Sequence, residues 1–148
     1  MKSTTPLNVL VLGVGGNVSQ GIVKALRTRS CNDRIVGACI SSDAAGLFLC
    51  DDWCLSPLAF DPAFDEWLIE TCLEYSVDVV LSGVESVLEV LANRRSQIES
   101  VTQARCIVSE PDIFAIAHDK QATCEWLGSH GFDHPRSWIS NQDVQIEP

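Results

Sequence analysis

Apolar runs and helix-like spacings of apolar residues alternate along most of the chain. The runs typical of strands lie at residues 7–12, 34–40, 77–81 and 104–108. Between these runs, apolar residues recur at the three- and four-residue spacing of amphipathic helices. A strand followed by a helix and another strand is the pattern of parallel strands joined by right-handed crossovers, so the sequence predicts an α/β fold with a parallel sheet.

Capping residues predict where several helices begin. Asp61 followed by Pro62 is typical of an N-cap and a first helical residue. Ser109 and Asp112 form a capping-box-like pair, with a shorter acid than the usual glutamate. A further helix is expected to begin near Asp119.

The remaining boundaries are less regular. Gly131 is expected to end the helix that begins near Asp119, with Ala122, Trp126 and Leu127 facing inward. Residues 51–55 are a candidate for a short extra strand between turns. Residues 135–139 are a candidate for a last strand.

A glycine-rich loop directly follows the first predicted strand. Gly13, Gly15 and Gly16 lie between this strand and a helix. Glycine lets the backbone turn sharply and lets a ligand approach the amides, and a helix start offers N–H groups and a partial positive charge. We therefore predict that Gly13, Gly15, Gly16 and Asn17 bind a phosphate or a carboxylate. A tight turn without a ligand is the alternative.

Two known nucleotide motifs fit this loop poorly. A Walker A loop is excluded because no Gly-Lys-Ser/Thr follows, and a dinucleotide fingerprint would place a third glycine where this chain has Val18. Gly21 comes one turn later and is expected to allow close packing of the helix on the strand. Asp43, which follows the second strand, is a candidate ribose contact.

Ligands of parallel sheets bind beyond the carboxyl ends of the strands. This rule selects residues 13–17, 41–43 and 82–85 and Ser109, because each follows or ends a predicted strand. Among them, Asp43, Ser82 and Glu85 are the substrate-side candidates. Glu89 lies further along the same helix, where a solvated helix face is the better interpretation.

The charge distribution argues against a polyanionic partner. The chain carries ten basic and twenty acidic residues, a formal net charge of −10. Nucleic-acid binding needs clustered Lys and Arg, so no nucleic-acid partner is expected. Residues 1–60 are close to neutral while residues 61–148 carry all of the excess acid, so the first part is the better place for a small anion.

Localisation signals are not recognised in this sequence. No apolar run reaches the roughly 18 residues of a membrane helix. The first residues lead directly into a strand-like run without a signal peptide. These features predict a cytoplasmic protein without a membrane partner.

The cysteines and histidines are not arranged like a metal site. The seven cysteines form no C-x-x-C pair, and several lie inside apolar runs. We interpret them as buried, reduced thiols rather than zinc ligands or disulfides. His130 and His134 are four apart, but Gly131 and Pro135 make a helical metal pair unsuitable. No metal is predicted.

Several segments together resemble a known enzyme family. Residues 9–21 (VLVLGVGGNVSQG) resemble the opening of ATP-grasp ligases of the carbamoyl-phosphate-synthase-like group. Residues 75–85 (YSVDVVLSGVE) are similar to that group's strand followed by Gly-x-Glu. His118-Asp119-Lys120 and Pro135-Arg136-Ser137 resemble the junction into the ATP-grasp domain.

The resemblance implies a fold and a domain layout. Residues 1–117 would form a pre-ATP-grasp domain, a Rossmann-like three-layer sandwich with a mainly parallel sheet of four to five strands. Residues 118–148 would form a linker helix and the start of an ATP-grasp domain that is otherwise absent. The family's Asp-Lys pair implies that Lys120 contacts the phosphates of ATP.

The resemblance also implies a function. The chain would be the N-terminal, substrate-side domain of an ATP-dependent carboxylate-amine or carbamoyl-phosphate-synthase-like ligase that acts through an acyl phosphate. ATP and Mg²⁺ would serve the full-length protein, and this fragment would neither catalyse nor hold a cofactor tightly. Its partners would be a small-molecule substrate, the missing C-terminal ATP-grasp domain and, through exposed apolar surface, a second copy in a homodimer.

Two other functions stay open. The domain could bind NAD or NADP as in an oxidoreductase or epimerase, although Val18 counts against this. It could also be a non-catalytic module that binds a small ligand or a protein. NADH titration tests the first alternative, and the reading frame after the Pro148 codon tests the second.

Overall fold

The computed structural model describes residues 5–29 and 31–137. The chain divides into two compact units between Val108 and Ser109. The division expected from the resemblance, with a pre-ATP-grasp domain at residues 1–117 and a linker helix and the start of an ATP-grasp domain at residues 118–148, stays a prediction.

The first unit is built on a five-stranded sheet in which all neighbouring strands are parallel. The strands are β1 (Asn8–Leu12), β2 (Arg34–Cys39), β3 (Asp52–Leu55), β4 (Val79–Ser82) and β5 (Arg105–Cys106). Their order across the sheet is β3-β2-β1-β4-β5. Strands are therefore added to one side of β1 first and to its other side afterwards, and the carboxyl ends of β1 and β4 form the topological switch point.

Helices cover both faces of this sheet. They are α1 (Asn17–Leu26), α2 (Phe64–Glu74) and α3 (Glu85–Val101), with a 3₁₀ turn at Ala45–Leu49. Successive side chains of a strand point to opposite faces. Accordingly, Leu10 lies in one core with Leu68 and Leu91 from α2 and α3, while Val9 lies in another with Val23 from α1. The predicted α/β three-layer sandwich is confirmed.

Carboxylates close the amino edge of the sheet. Asp33 Oδ1 accepts a hydrogen bond from the Leu7 amide at 3.0 Å. Asp78 Oδ2 accepts one from the Asn8 amide at 2.8 Å. A strand that begins at an edge presents N–H groups without a ladder partner, and these side chains satisfy them.

The start of α2 differs from the prediction. The helix begins at Phe64 with Ala63 as its N-cap, so Pro62 is not its first residue. Asp61 Oδ1 accepts a hydrogen bond from the Ala63 amide at 2.9 Å. Asp61 therefore stabilises a turn that precedes the helix rather than the helix itself.

The second unit contains α4 (Pro111–His118) and α5 (Lys120–Ser129). The N-cap of α4 is Glu110, without a side-chain cap, so the predicted capping pair of Ser109 and Asp112 is wrong. The N-cap of α5 is Asp119, as predicted, and its carboxylate accepts hydrogen bonds from the amides of Gln121 and Ala122.

The inward packing predicted for α5 is only partly right. Trp126 is 40% exposed, although Leu127 is half-buried. The Trp126 ring stacks on His130 with 4.1 Å between ring centroids. Residues 135–137 form no strand, and residues 138–139 lie outside the described residues.

The seven cysteines are free thiols. Cys39, Cys72 and Cys106 are buried in the sheet unit, and the other four are half-buried. Burial raises the pKa of Cys72 to about 12 and that of Cys106 to about 11. These thiols behave as small apolar side chains, as predicted. None of the helices in the described residues is long and apolar enough to cross a membrane.

Candidate functional site at the carboxyl edge of the sheet

The loop after β1 needs glycine at its first position. Gly13 has φ of +70°, and a side chain there would collide with Val84. The Gly13 amide donates to Ala38 O at 2.8 Å, and the Gly16 amide donates to Gly13 O at 3.0 Å. These bonds hold the loop against β2 and direct the chain into α1.

The start of α1 suits an anion better than the start of α3. Gly16 is the N-cap of α1, no side chain caps this helix, and its first turn carries no acid. Gly15 and Gly16 are exposed. In contrast, Glu85 lies in the first turn of α3, where its carboxylate already meets the helix dipole. The first turn of α1 therefore offers partial positive charge without a competing carboxylate.

Two serine hydroxyls brace the switch point. Ser19 is fully buried in α1, and its Oγ donates to Leu12 O at 2.8 Å and accepts from the Gly83 amide at 3.0 Å. Ser82 Oγ donates to Leu12 O at 3.3 Å and accepts from the Val84 amide at 3.1 Å. The ends of β1 and β4 are thereby tied to α1 and to the start of α3.

The close approach between α1 and the sheet occurs at Gly83. A Cβ atom at Gly83 would lie 2.5 Å from Val18 Cγ1 and 2.8 Å from the Ser19 amide nitrogen. Gly21 is exposed and has open space where its Cβ would be. The prediction that Gly21 permits close packing is wrong, because α1 turns Gly21 away from the sheet.

A cavity of about 400 Å³ opens beside the glycine loop. It lies beyond the carboxyl ends of β1, β2 and β3 and reaches the starts of α2 and α3. Its apolar side chains include Ile40, Leu58, Phe64 and Val87. No charged side chain of the described residues lines it. A cavity of this size can hold a small ligand. Among the described residues, its lining provides no carboxylate, imidazole or amine side chain that could transfer a proton.

Residues 9–104 match a family model described as the PylC-like N-terminal domain. The chain belongs to this family. The match begins inside β1 and ends just before β5, so it contains the glycine loop and the switch point. No curated protein matches the sequence.

Solved structures share the fold of the PylC-like domain. N5-carboxyaminoimidazole synthetase from Staphylococcus aureus, solved with ADP, is 15% identical with a TM-score of 0.61 over 88% of this chain and 31% of that chain. The biotin carboxylase subunit of pyruvate carboxylase is 17% identical with a TM-score of 0.58 over 84% of this chain and 28% of that one.

The biotin carboxylase domain of a single-chain bacterial carboxylase is 16% identical, with a TM-score of 0.59 over 86% of this chain. The PylC-like chain spans 29% of that protein, and so less than a third of the length of each of the three. Together with the family match, this likeness confirms the predicted pre-ATP-grasp fold.

Three of the four predicted loop residues line the cavity of the PylC-like domain. These are Gly13, Gly15 and Gly16, whereas Asn17 is the exposed first residue of α1 and lies outside the lining. Asp43, the candidate ribose contact, is also exposed and outside the lining. The Asp43 amide donates to Ser41 Oγ at 3.2 Å, and Ser41 is the residue of this loop that reaches the cavity.

The substrate-side candidates at the end of β4 and after it also lie outside the cavity lining. Ser82 is buried and its hydroxyl is occupied by the brace described above, so it does not line the cavity. Glu85 is exposed and outside the lining, while its neighbour Ser86 lines the cavity. Glu89 lines a different cavity, where Arg94 also lies.

The sequence analysis missed Ser19, Ser56 and Ser86, whereas Ser41 belongs to a segment that the strand-end rule selected. Ser19 carries the brace, and Ser41, Ser56 and Ser86 are the hydroxyl-bearing residues of the cavity lining. A local signal existed for Ser86, since it follows β4 by a few residues. Ser56 follows an edge strand whose position in the sheet cannot be inferred from local pattern.

Lys120 lies in the second unit. It is the exposed first residue of α5, directly after the N-cap Asp119. Among residues 5–29 and 31–137, no group of three His, Cys, Asp or Glu side chains is arranged to hold a metal ion.

Proposed function

We propose that this PylC-like domain is the N-terminal, substrate-side domain of an ATP-dependent ligase that joins a carboxylate to an amine through an acyl phosphate. The observation that carries the proposal is the family match over residues 9–104 together with the open cavity at the switch point of the parallel sheet. Ligands of such sheets bind at this position. A ligase of the carbamoyl-phosphate-synthase-like group is the finer form of the proposal.

The domain's part in this function is to bind and orient an anionic group of the substrate. The first turn of α1 has no side-chain cap and no acid, and Gly15 and Gly16 leave its amides accessible to a ligand. The brace through Ser19 keeps this turn at a fixed distance from β4. A carboxylate or phosphate bound there would be oriented by backbone groups that do not need to rearrange.

The described residues do not fit a nucleotide with its magnesium ion. The cavity contains no lysine or arginine, and the part of the chain described here holds no group of three His, Cys, Asp or Glu side chains suited to a metal. We propose that ATP and Mg²⁺ serve the whole protein, supply the activating phosphoryl group and bind mainly to residues outside the sheet unit. The chain alone would then neither hold ATP tightly nor catalyse.

Lys120 is the residue of this chain proposed to contact ATP. Its ammonium group is exposed at a helix start, where a phosphate would meet both the point charge and the amides of α5. Lys120→Ala should raise the KM for ATP in the whole protein and leave unfolding of this chain unchanged. Lys24→Ala, at an exposed lysine in the last turn of α1, is the matched control.

The deciding experiment measures ADP formation by the product of the complete natural reading frame. We expect ADP only when a suitable acid and amine are both present, and none from the 148-residue chain alone. Gly15→Val should lower kcat/KM for the acid, because its side chain would enter the cavity beside Cys39. Absence of any acid- and amine-dependent ADP formation would refute the proposal, as would tight, saturable NADH binding to the chain.

A cytoplasmic location stays a prediction from the sequence. A homodimer also stays a prediction, for which Trp53 and Leu55 of the edge strand β3 and Phe48 of the preceding turn provide exposed apolar surface.

A further inference from the structure

The cavity beside the glycine loop has apolar walls that remain exposed. Ile40 and Leu58 line it while exposing 62% and 64% of their surface. Phe64 and Leu12 line it from the buried core. Large apolar side chains around a concave site gain free energy when a ligand removes them from water. The lining therefore favours a ligand that presents apolar surface.

The same lining disfavours a charged ligand body. No lysine, arginine, aspartate or glutamate of the described chain contributes to it. An ammonium or carboxylate placed there would lose hydration without gaining an opposite charge, which is costly.

Three hydroxyl groups provide the polar contacts. Ser41, Ser56 and Ser86 follow β2, β3 and β4 and reach the cavity from different elements. A serine hydroxyl can donate or accept, so these groups can orient an uncharged polar atom without requiring a charge.

We propose that this cavity binds the uncharged aliphatic body of the substrate while the substrate's carboxylate lies at the Gly15–Gly16 turn. The identification of the ligand as a substrate rests on the proposed function, but the preference for an uncharged body rests on the cavity alone. A volume of about 400 Å³ lies within the usual range of small-molecule sites.

A matched series of small carboxylates tests the preference. Hexanoate, adipate and 6-aminohexanoate have the same chain length and differ only in whether the far end is a methyl, a carboxylate or an ammonium group. Each is titrated into the ¹⁵N,¹³C-labelled chain while the amide and methyl NMR signals of Gly15, Ile40, Leu58 and Val87 are followed. We expect hexanoate to shift these signals. The other two compounds should bind at least about tenfold more weakly, which is a loss of about 1.4 kcal/mol of binding free energy.

A charge placed in the lining should reverse the order. Leu58→Arg introduces a cation at an exposed lining position, so it should weaken hexanoate and strengthen adipate. Phe60→Arg is the matched control, because Phe60 is similarly exposed and lies outside this cavity. Circular dichroism checks that both variants fold.

The outcomes separate this inference from the proposed function. Equal binding of hexanoate and adipate would overturn the inference, and so would the absence of any shift with both hexanoate and uncharged hexanol. If hexanol binds as tightly as hexanoate, the result supports the apolar cavity and counts against the anion role of the glycine turn. Dimerisation that buries these residues and is abolished by Leu58→Arg would show that a second copy covers the cavity, which also overturns the inference. ADP formation by the whole protein is measured separately and tests only the ligase proposal.

Discussion

The two edges of the sheet are stabilised by different kinds of side chain. At the amino edge, carboxylates accept from strand amides, as Asp33 does from Leu7. At the carboxyl edge, a hydroxyl donates to a strand carbonyl, as Ser19 does to Leu12. An ionised carboxylate can only accept, so it pairs with amides, whereas a hydroxyl can donate to a strand carbonyl and accept from an amide at the same time, as Ser19 does.

The comparison suggests a reason why the cavity beside the glycine loop lies at the carboxyl edge. Carboxylates at the amino edge attract arginines, and the Arg29–Asp33 and Arg34–Asp52 pairs cover that edge at 2.9 and 2.8 Å. Hydroxyls and glycines at the carboxyl edge are small and uncharged, so they leave space. The amino edge contributes to stability, and the carboxyl edge is available for binding.

The largest expected effect comes from a side chain at Gly83. Gly83→Val would force the β4–α3 turn away from Val18 and the Ser19 backbone, so unfolding should become easier by about 3 kcal/mol. Urea unfolding of the isolated chain measures this. Gly21→Ala is the control, and it should stabilise the chain by about 0.7 kcal/mol because a helical glycine in open space gains helix propensity. Similar effects at the two positions would contradict the packing described here.

The next largest effect is expected from the carboxyl-edge brace. Ser19→Ala leaves the Gly83 amide without its buried acceptor, so it should cost about 2 kcal/mol of unfolding free energy. The Gly83 amide should also exchange its hydrogen faster. Ser100→Ala removes only an exposed bond to Gln97 O within α3 and should have little effect. An unchanged rate of hydrogen exchange at the Gly83 amide would show that Ser19 Oγ does not protect this amide.

The amino edge provides the matching test. Asp33→Asn removes the charge from a side chain that is only 2% exposed and accepts the Leu7 amide, so we expect a loss of about 1.5 kcal/mol. Asp52→Asn changes an exposed partner of Arg34 and should cost about 0.5 kcal/mol. Urea unfolding at low and high salt measures both. Equal losses would mean that burial does not distinguish the two carboxylates.

The smallest effect near neutral pH concerns the buried thiols. Burial raises the pKa of Cys72 to about 12, whereas an ordinary thiol ionises near 9.0. The folded state therefore keeps a proton that the unfolded state loses, so stability is constant below about pH 8 and falls as the pH rises from 9 toward 12. Unfolding free energies at pH 8, 9, 10 and 10.5 should show this, with a flatter profile in Cys72→Val. An identical profile in the variant would exclude a contribution from Cys72.

The glycine loop could be predicted because its signal is local. Gly13 lies between an apolar run and a helical spacing, and these neighbours are enough to indicate a strand-to-helix turn. Gly21 and Gly83 could not be ranked in the same way, since their surroundings depend on residues far away in sequence. The structure shows that Gly83 receives Val18 across the switch point, while Gly21 contacts nothing on its open side.

The residues after the strands show the same limit. The rule for parallel sheets selected residues 41–43 and 82–85, but the candidates chosen within them, Asp43, Ser82 and Glu85, lie outside the cavity lining. Ser41 and Val84 of these segments line the cavity, and so does Ser86 just beyond them. Which of two adjacent residues points into a cavity depends on the local path of the loop, and hydrophobic periodicity carries no information about that path.

The sequence by itself determined the alternation of strands and helices, the parallel sheet and the glycine turn, because each depends on residues close together in the chain. Only the tertiary structure decided the strand order β3-β2-β1-β4-β5, the brace at Ser19 and the uncharged lining of the cavity. These features depend on which strand ends come together, as when Gly83 meets Ser19 across 64 positions of sequence. Such contacts are selected by packing of the whole sheet, so no local pattern specifies them.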